Sequence, residues 1–114
     1  MTFPTRAFKI LTGPQMRELL ARGCFAGAPI DLADGYIHLS TEPQLGETIL
    51  RHFTGQTDLW IAEIDLVALH EQVRWEPSRG GQLFPHVYGE LPLSAVLAHG
   101  PVQWATGGRL ILPH

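Results

Sequence analysis

At 114 residues and 12.6 kDa the chain is long enough for one domain and too short for two, so residues 1–114 are read as a single unit. Eight Lys and Arg against eleven Asp and Glu leave a net charge of −3, which argues against a DNA-binding protein that works by neutralising phosphates. Hydrophobic residues at 45% and charged residues at 17% mark a folded domain rather than a disordered tail. A lone cysteine, Cys24, excludes an intrachain disulfide framework. With no apolar run near the roughly 18 residues of a membrane span, and no apolar signal core in MTFPTRAFKI, the expectation is a cytoplasmic protein without DNA or membrane partners, a monomer or small homo-oligomer.

Twelve Gly and nine Pro are spread along the chain as punctuation, which predicts many short elements joined by tight turns. Ala7–Leu11 reads as a first strand, with Phe8 and Ile10 on one face and Lys9 on the other. Thr12-Gly13-Pro14 opens a helix whose stripe is Met16, Leu19 and Leu20, and Gly23 ends it. Residues 24–35 read as a loop holding Pro29 and the turn pair Asp34-Gly35. Tyr36–Ser40 is a second strand, with Ile37 and Leu39 toward the core and Tyr36, His38 and Ser40 on the opposite face.

A second helix is predicted over Pro43–Phe53. Thr41 and Gln44 have the spacing of a capping box, and Leu45, Ile49 and Phe53 form its apolar stripe. Leu59–Asp65 alternates as the clearest strand. Shorter strands are expected at Val73–Glu76, Phe84–Tyr88 and Ala95–Ala98, with an edge strand at Arg109–Leu112 and a turn-rich loop at Pro77–Gln82. Two helices among five to seven strands predict an α+β domain with a mixed or antiparallel sheet.

Three segments could carry chemistry. In the first, His38 and Ser40 share a strand face just before a helix N-terminus, a junction suited to an anion. Their bland role is to satisfy buried backbone groups. In the second, Phe84-Pro85-His86-Val87-Tyr88-Gly89, His86 and Tyr88 point the same way and offer a proton carrier and a stacking ring. They could equally be anchors of a turn. In the third, Glu76 ends a strand beside Ser78-Arg79-Gly80-Gly81. A carboxylate there can be catalytic, but it is read first as a pin accepting backbone N–H groups of residues 78–82. Gly80-Gly81 lacks a phosphate-loop pattern. Six His residues show no HExxH, HxH or CxxC spacing, so no metal site is expected.

DGYIHLST, ETILRHFTG, DLWIAEID, VRWEPSRGG and FPHVYGELPL, in this order, resemble a family of small bacterial proteins, the domain of unknown function numbered 952. The resemblance runs from Phe8 to about Val96, with IHLST and FPHVYG its specific parts. That family is in turn distantly similar in pattern to the ADP-ribosyltransferase-like superfamily, which binds NAD in a cleft between two small sheets. Ile37-His38-Leu39-Ser40 resembles the second-strand motif of the RNA 2′-phosphotransferase branch, and Lys9 stands where the first strand commonly carries His or Arg. The superfamily's late-strand Glu has no clear counterpart; Glu63 and Glu76 are candidates, and His86 or Tyr88 is the alternative in its place.

The resemblance implies a split-sheet ADP-ribosyltransferase-like domain and a small-molecule ligand, a nucleotide or NAD. In that reading Lys9, His38 and Ser40 hold a ribose or phosphate, Tyr88 stacks on a ring, and His86 or Glu76 is the catalytic acid/base. The alternatives are a non-catalytic small-molecule-binding module using the same residues, or an interaction protein in which the pocket is incidental.

Overall fold

The computed structural model describes residues 2–114. Its first strand, β1 (Arg6–Thr12), runs directly into helix α1 (Gly13–Arg22). Thr12 ends one and caps the other: its hydroxyl accepts from Gln15 N–H, and the Gln15 side chain accepts from Thr12 N–H. Gly23 closes α1 at a φ of 79°, with its N–H on the Leu19 carbonyl.

The stretch expected to be a loop is ordered. It holds β2 (Cys24–Phe25) and helix α2 (Pro29–Asp34), which Gly35 ends at a φ of 89°. Pro29 at the first helical position and Asp31 at the third are what allow six residues to form this helix. The Asp31 carboxylate accepts from the otherwise unpaired Ala28 N–H.

After β3 (Ile37–His38), a 3₁₀ turn at Glu42–Gln44 leads into helix α3 (Leu45–His52), so the second predicted helix starts as a tighter turn. Then follow β4 (Leu59–Asp65), the single turn α4 (Leu66–Leu69), β5 (Val73–Pro77), β6 (Leu83–Val87), β7 (Leu91–Pro92) and β8 (Val96–Pro101). A small hairpin of β9 (Gln103–Trp104) and β10 (Leu110–Ile111) ends the chain.

Among the described residues every strand pairing is antiparallel, which narrows the mixed-or-antiparallel expectation. One three-stranded sheet has the order β1-β4-β8 and another β3-β6-β5; β2-β7 and β9-β10 are two-stranded. The domain is thus a small α+β unit with several small antiparallel sheets. Two short α-helices join the two that periodicity predicts. No helix among the described residues is long and apolar enough to cross a membrane.

Strands β1 and β4 are covered on both faces, whereas β8 at the sheet edge is half-exposed. Ala7, Leu11, Ala62 and Ile64 pack with Met16 and Leu19 of α1 and with Phe25, Ile37, Leu39 and Val87. Phe8, Ile10, Leu59 and Ile61 pack with Leu45 and Ile49 of α3. Each fully buried aliphatic side chain contributes about 1.5–3 kcal/mol.

Residues 37–40 stitch the two larger sheets together. Ile37 and His38 pair with Val87 and His86 of β6, whereas Ser40 bridges to Phe8 of β1, exchanging both backbone hydrogen bonds with it. The predicted strand Tyr36–Ser40 is therefore one extended segment shared between sheets.

Candidate functional site

Strand alternation sets the face. Ile37, Leu39 and Val87 point into the core, so Tyr36, His38, His86 and Tyr88 lie on the other side of the β3-β6-β5 sheet. Cross-strand register brings His38 opposite His86 and His86 opposite Arg74. The two imidazoles meet edge to face with centroids 5.4 Å apart. Tyr36 stacks on His86 at 4.1 Å and tilts against His38 and Tyr88 at 4.7 and 5.3 Å. The two sequence motifs thus converge on one surface.

Beside it lies a cleft of about 490 Å³, lined by Lys9, His38, Ser40, His86, Ser78 and Arg79 among its polar groups and by Phe8, Ile10, Phe53 and Phe84 among its apolar ones. This is an ordinary size for a small-molecule site. A second depression of about 550 Å³, lined by Ile49, Leu50, Phe53, the 54–58 turn and Trp104, carries no cluster of titratable groups.

The first polar network centres on Asp31, which is buried. Its carboxylate accepts from Lys9 Nζ (3.2 Å), from the backbone N–H groups of Ala28 (2.8 Å) and His38 (3.1 Å), and pairs with His38 Nδ1 (2.6 Å). Burial alone would raise the Asp31 carboxyl. The His38 hydrogen bond, the Lys9 charge and the Ala28 N–H outweigh it and hold the group at about 2. Burial pushes the Lys9 ammonium below its ordinary value, against the opposing pull of Asp31. Lys9 also donates to the His38 carbonyl (3.1 Å). The charges of this pair are therefore matched inside the fold.

His38 is held on both edges. Besides Asp31 at Nδ1, Asp34 Oδ2 stands 2.9 Å from Nε2. Ser40 is likewise engaged: its hydroxyl is 2.8 Å from Thr48 Oγ1, which donates to the Gln44 carbonyl and accepts from Arg79. Arg79 also lies 3.5 Å from Glu47 and over the Phe84 ring at 4.9 Å.

The second network centres on Glu76, and here the pin reading is corrected. The Glu76 carboxylate takes no backbone N–H of residues 78–82. It pairs with His86 Nδ1 (2.8 Å) and accepts from the Tyr88 hydroxyl (2.8 and 3.0 Å). In register Glu76 faces Phe84, on the same sheet face as His86 and Tyr88, so its side chain leaves the loop behind. The loop closes on itself instead, with Ser78 N–H on Gln82 O and Gly81 N–H on Ser78 O. The His86 and Tyr88 hydrogen bonds hold the Glu76 carboxyl below its ordinary range, and the same Glu76 hydrogen bond raises the Tyr88 phenol.

His86 joins the two settings. Its Nδ1 meets Glu76, which does not line the cleft, whereas His86 itself does. The residue is only 2% exposed, and Nε2 is buried without a hydrogen-bond partner among the described residues. A buried polar atom left unpaired is rare.

Lys9, His38, Ser40 and His86 therefore line one cleft, while Glu76 and Tyr88 stand behind His86. Tyr88 does not offer a free ring to the cleft; the Arg74 guanidinium covers it at 4.7 Å. Sequence reasoning passed over Asp31, Asp34, Thr48 and Arg79. Asp31 had a readable signal, an acidic residue two places after Pro29 at the start of a helix. Thr48 and Arg79 had none, because only packing brings α3 to the 78–82 turn.

The crystal structure of protein CC0527 from Caulobacter crescentus is 38% identical, with 95% of each chain covered and a TM-score of 0.85. The solution NMR structure of CC0527 is 38% identical over 92% of this chain and 90% of that one, with a TM-score of 0.78. Both support a small α+β domain. No curated protein matches the chain. The family model described as a protein of unknown function, DUF952, matches residues 10–99, and the chain belongs to that family.

Proposed function

We propose that the chain is an enzyme that performs acid–base chemistry on a nucleotide-sized ligand, NAD or a NAD derivative, held in the cleft between the two larger sheets. The observation that carries this reading is the unpaired, buried Nε2 of His86. It belongs to a residue that lines a cleft of suitable size and whose other nitrogen is backed by a carboxylate. Cleft walls that combine Phe8, Phe53 and Phe84 with Ser40, Ser78 and Arg79 suit a ligand with a ring at one end and hydroxyls or phosphate at the other. Lys9 is locked to the buried Asp31, whereas Arg79 pairs with the half-exposed Glu47 and lines the cleft, so Arg79 is the cation better placed to meet a phosphate. A cleft at the junction of two small antiparallel sheets is also what supports an ADP-ribosyltransferase-like form.

The second reading, a binding module without catalysis, draws on the His38 ring, whose two nitrogens both face carboxylates. One experiment separates the readings. NAD, ADP-ribose and AMP are each added to the wild type and to His86→Ala, and thermal melts are combined with chromatography of the mixture. At about 100 times the dissociation constant, binding stabilises the wild type by about 2.7 kcal/mol. Stabilisation with conversion of the ligand, both lost in His86→Ala, supports the enzyme. Stabilisation without conversion supports the binding module. No shift with any of the three at millimolar concentration overturns both nucleotide readings.

A further inference from the structure

We infer that Glu76 is a positioning residue that locks His86 with its proton on Nδ1, so that the ring presents a bare Nε2 acceptor to the cleft and selects a ligand that offers an O–H or N–H at that point. The choice of ligand group rests on the function proposed above; the lock does not.

The lock follows from donor and acceptor chemistry. An ionised carboxylate only accepts, so a 2.8 Å contact between Glu76 Oε1 and His86 Nδ1 places a hydrogen on Nδ1. Glu76 is kept ionised by a second donor, the Tyr88 hydroxyl, which reaches both carboxylate oxygens. In a neutral imidazole a hydrogen on Nδ1 leaves Nε2 with a lone pair. Turning the ring over would put a C–H against the carboxylate and lose the pairing. The Tyr36 ring, stacked on His86 at 4.1 Å, holds its plane. In solution neutral histidine prefers the other tautomer, with hydrogen on Nε2, so the carboxylate is what imposes this one.

The selectivity follows from the same atom. A sugar hydroxyl or a carboxamide N–H fills the vacant acceptor. An ionised phosphate oxygen or a carbonyl at that position would set lone pair against lone pair in a buried setting. A ligand carrying both groups is therefore oriented, with its donor end at His86.

Long-range ¹H–¹⁵N correlation of the imidazole nitrogens tests the lock in the free protein at neutral pH. The expected wild-type pattern for His86 is a protonated Nδ1 and an unprotonated Nε2. Glu76→Gln, whose amide oxygen still accepts, and Tyr88→Phe, which leaves the carboxylate in place, keep that pattern. Glu76→Ala moves the hydrogen to Nε2. A wild-type His86 protonated on Nε2 or on both nitrogens overturns the proposal, and so does a Glu76→Ala protein with the wild-type pattern. ADP-ribose is then added to the labelled wild type. A shift of the Nε2 resonance in the direction of hydrogen bonding supports the selectivity. Binding seen elsewhere in the spectrum with Nε2 unmoved overturns it. Absence of any binding overturns the function proposed above and leaves the lock standing.

Discussion

His38 and His86 face each other across neighbouring strands with ring centroids 5.4 Å apart, and each has Nδ1 on a carboxylate, Asp31 for one and Glu76 for the other. Their remaining nitrogens differ. Nε2 of His38 stands 2.9 Å from Asp34, whereas Nε2 of His86 has no partner among the described residues. The first histidine is a clamp between α2 and β3; the second keeps one ring nitrogen unpaired.

Asp31→Ala removes the acceptor shared by Lys9, His38 and the Ala28 N–H. It leaves a buried cation and unpaired donors, and a loss of about 3–5 kcal/mol is expected in chemical denaturation. Replacing both charges, Lys9→Met with Asp31→Leu, recovers part of that loss, because the isolated charge is then gone. A loss in Asp31→Ala below 1 kcal/mol would show that the pair behaves like a surface ion pair.

Acid stability follows from the same carboxylate. Asp31 titrates at about 2 in the fold against an ordinary value of 3.8. Its folded value is depressed, so its contribution is complete above the unfolded value and is lost as pH falls toward about 2. The size is about 2 kcal/mol. Denaturation midpoints measured from pH 6 down to pH 2 should fall more steeply in the wild type than in Asp31→Asn; parallel curves would assign the acid sensitivity to other groups.

Glu76→Gln should melt with the wild type. Its carboxylate supports no backbone amide of the 78–82 turn, and the Gln amide oxygen still accepts from His86 and Tyr88. A clearly lower melting temperature would show that the charge of Glu76, and not only its acceptor oxygen, holds His86 and Tyr88 in place.

Gly89 ends the FPHVYG motif at a φ of 143°, and a Cβ there would lie 2.6 Å from Gln72 Nε2. The Gln72 side chain can move aside, but the backbone angle remains unsuited to an L side chain. Gly89→Ala should cost about 1–3 kcal/mol, with Tyr88 displaced because its N–H is held by the Gln72 carbonyl beside it. An Ala variant as stable as the wild type would mean that the turn relaxes freely.

Alternation along Ile37–Ser40 and Phe84–Tyr88 was enough to place His38, Ser40, His86 and Tyr88 away from the core, because side-chain direction in a strand is a local property. Local turn chemistry located α1 and most of α3, and alternation located the seven-residue β4. The sequence alone did not contain the registers His38↔His86 and Glu76↔Phe84, which turn two motifs nearly fifty residues apart into one surface. Register depends on which strands pair, and pairing depends on burial of Ile37, Leu39 and Val87 in a core shared with β1 and β4. The same dependence explains the misread residues. Glu76 beside a glycine-rich turn reads as that turn's support, and only the pleat of β5 against β6 aims it at His86. Asp31 reads as part of a loop until Lys9, 22 residues earlier, is found pointing at it from the central sheet. A buried charge acquires its meaning from a partner brought near by the fold, since desolvation and Coulomb energy depend on distance in space rather than along the chain.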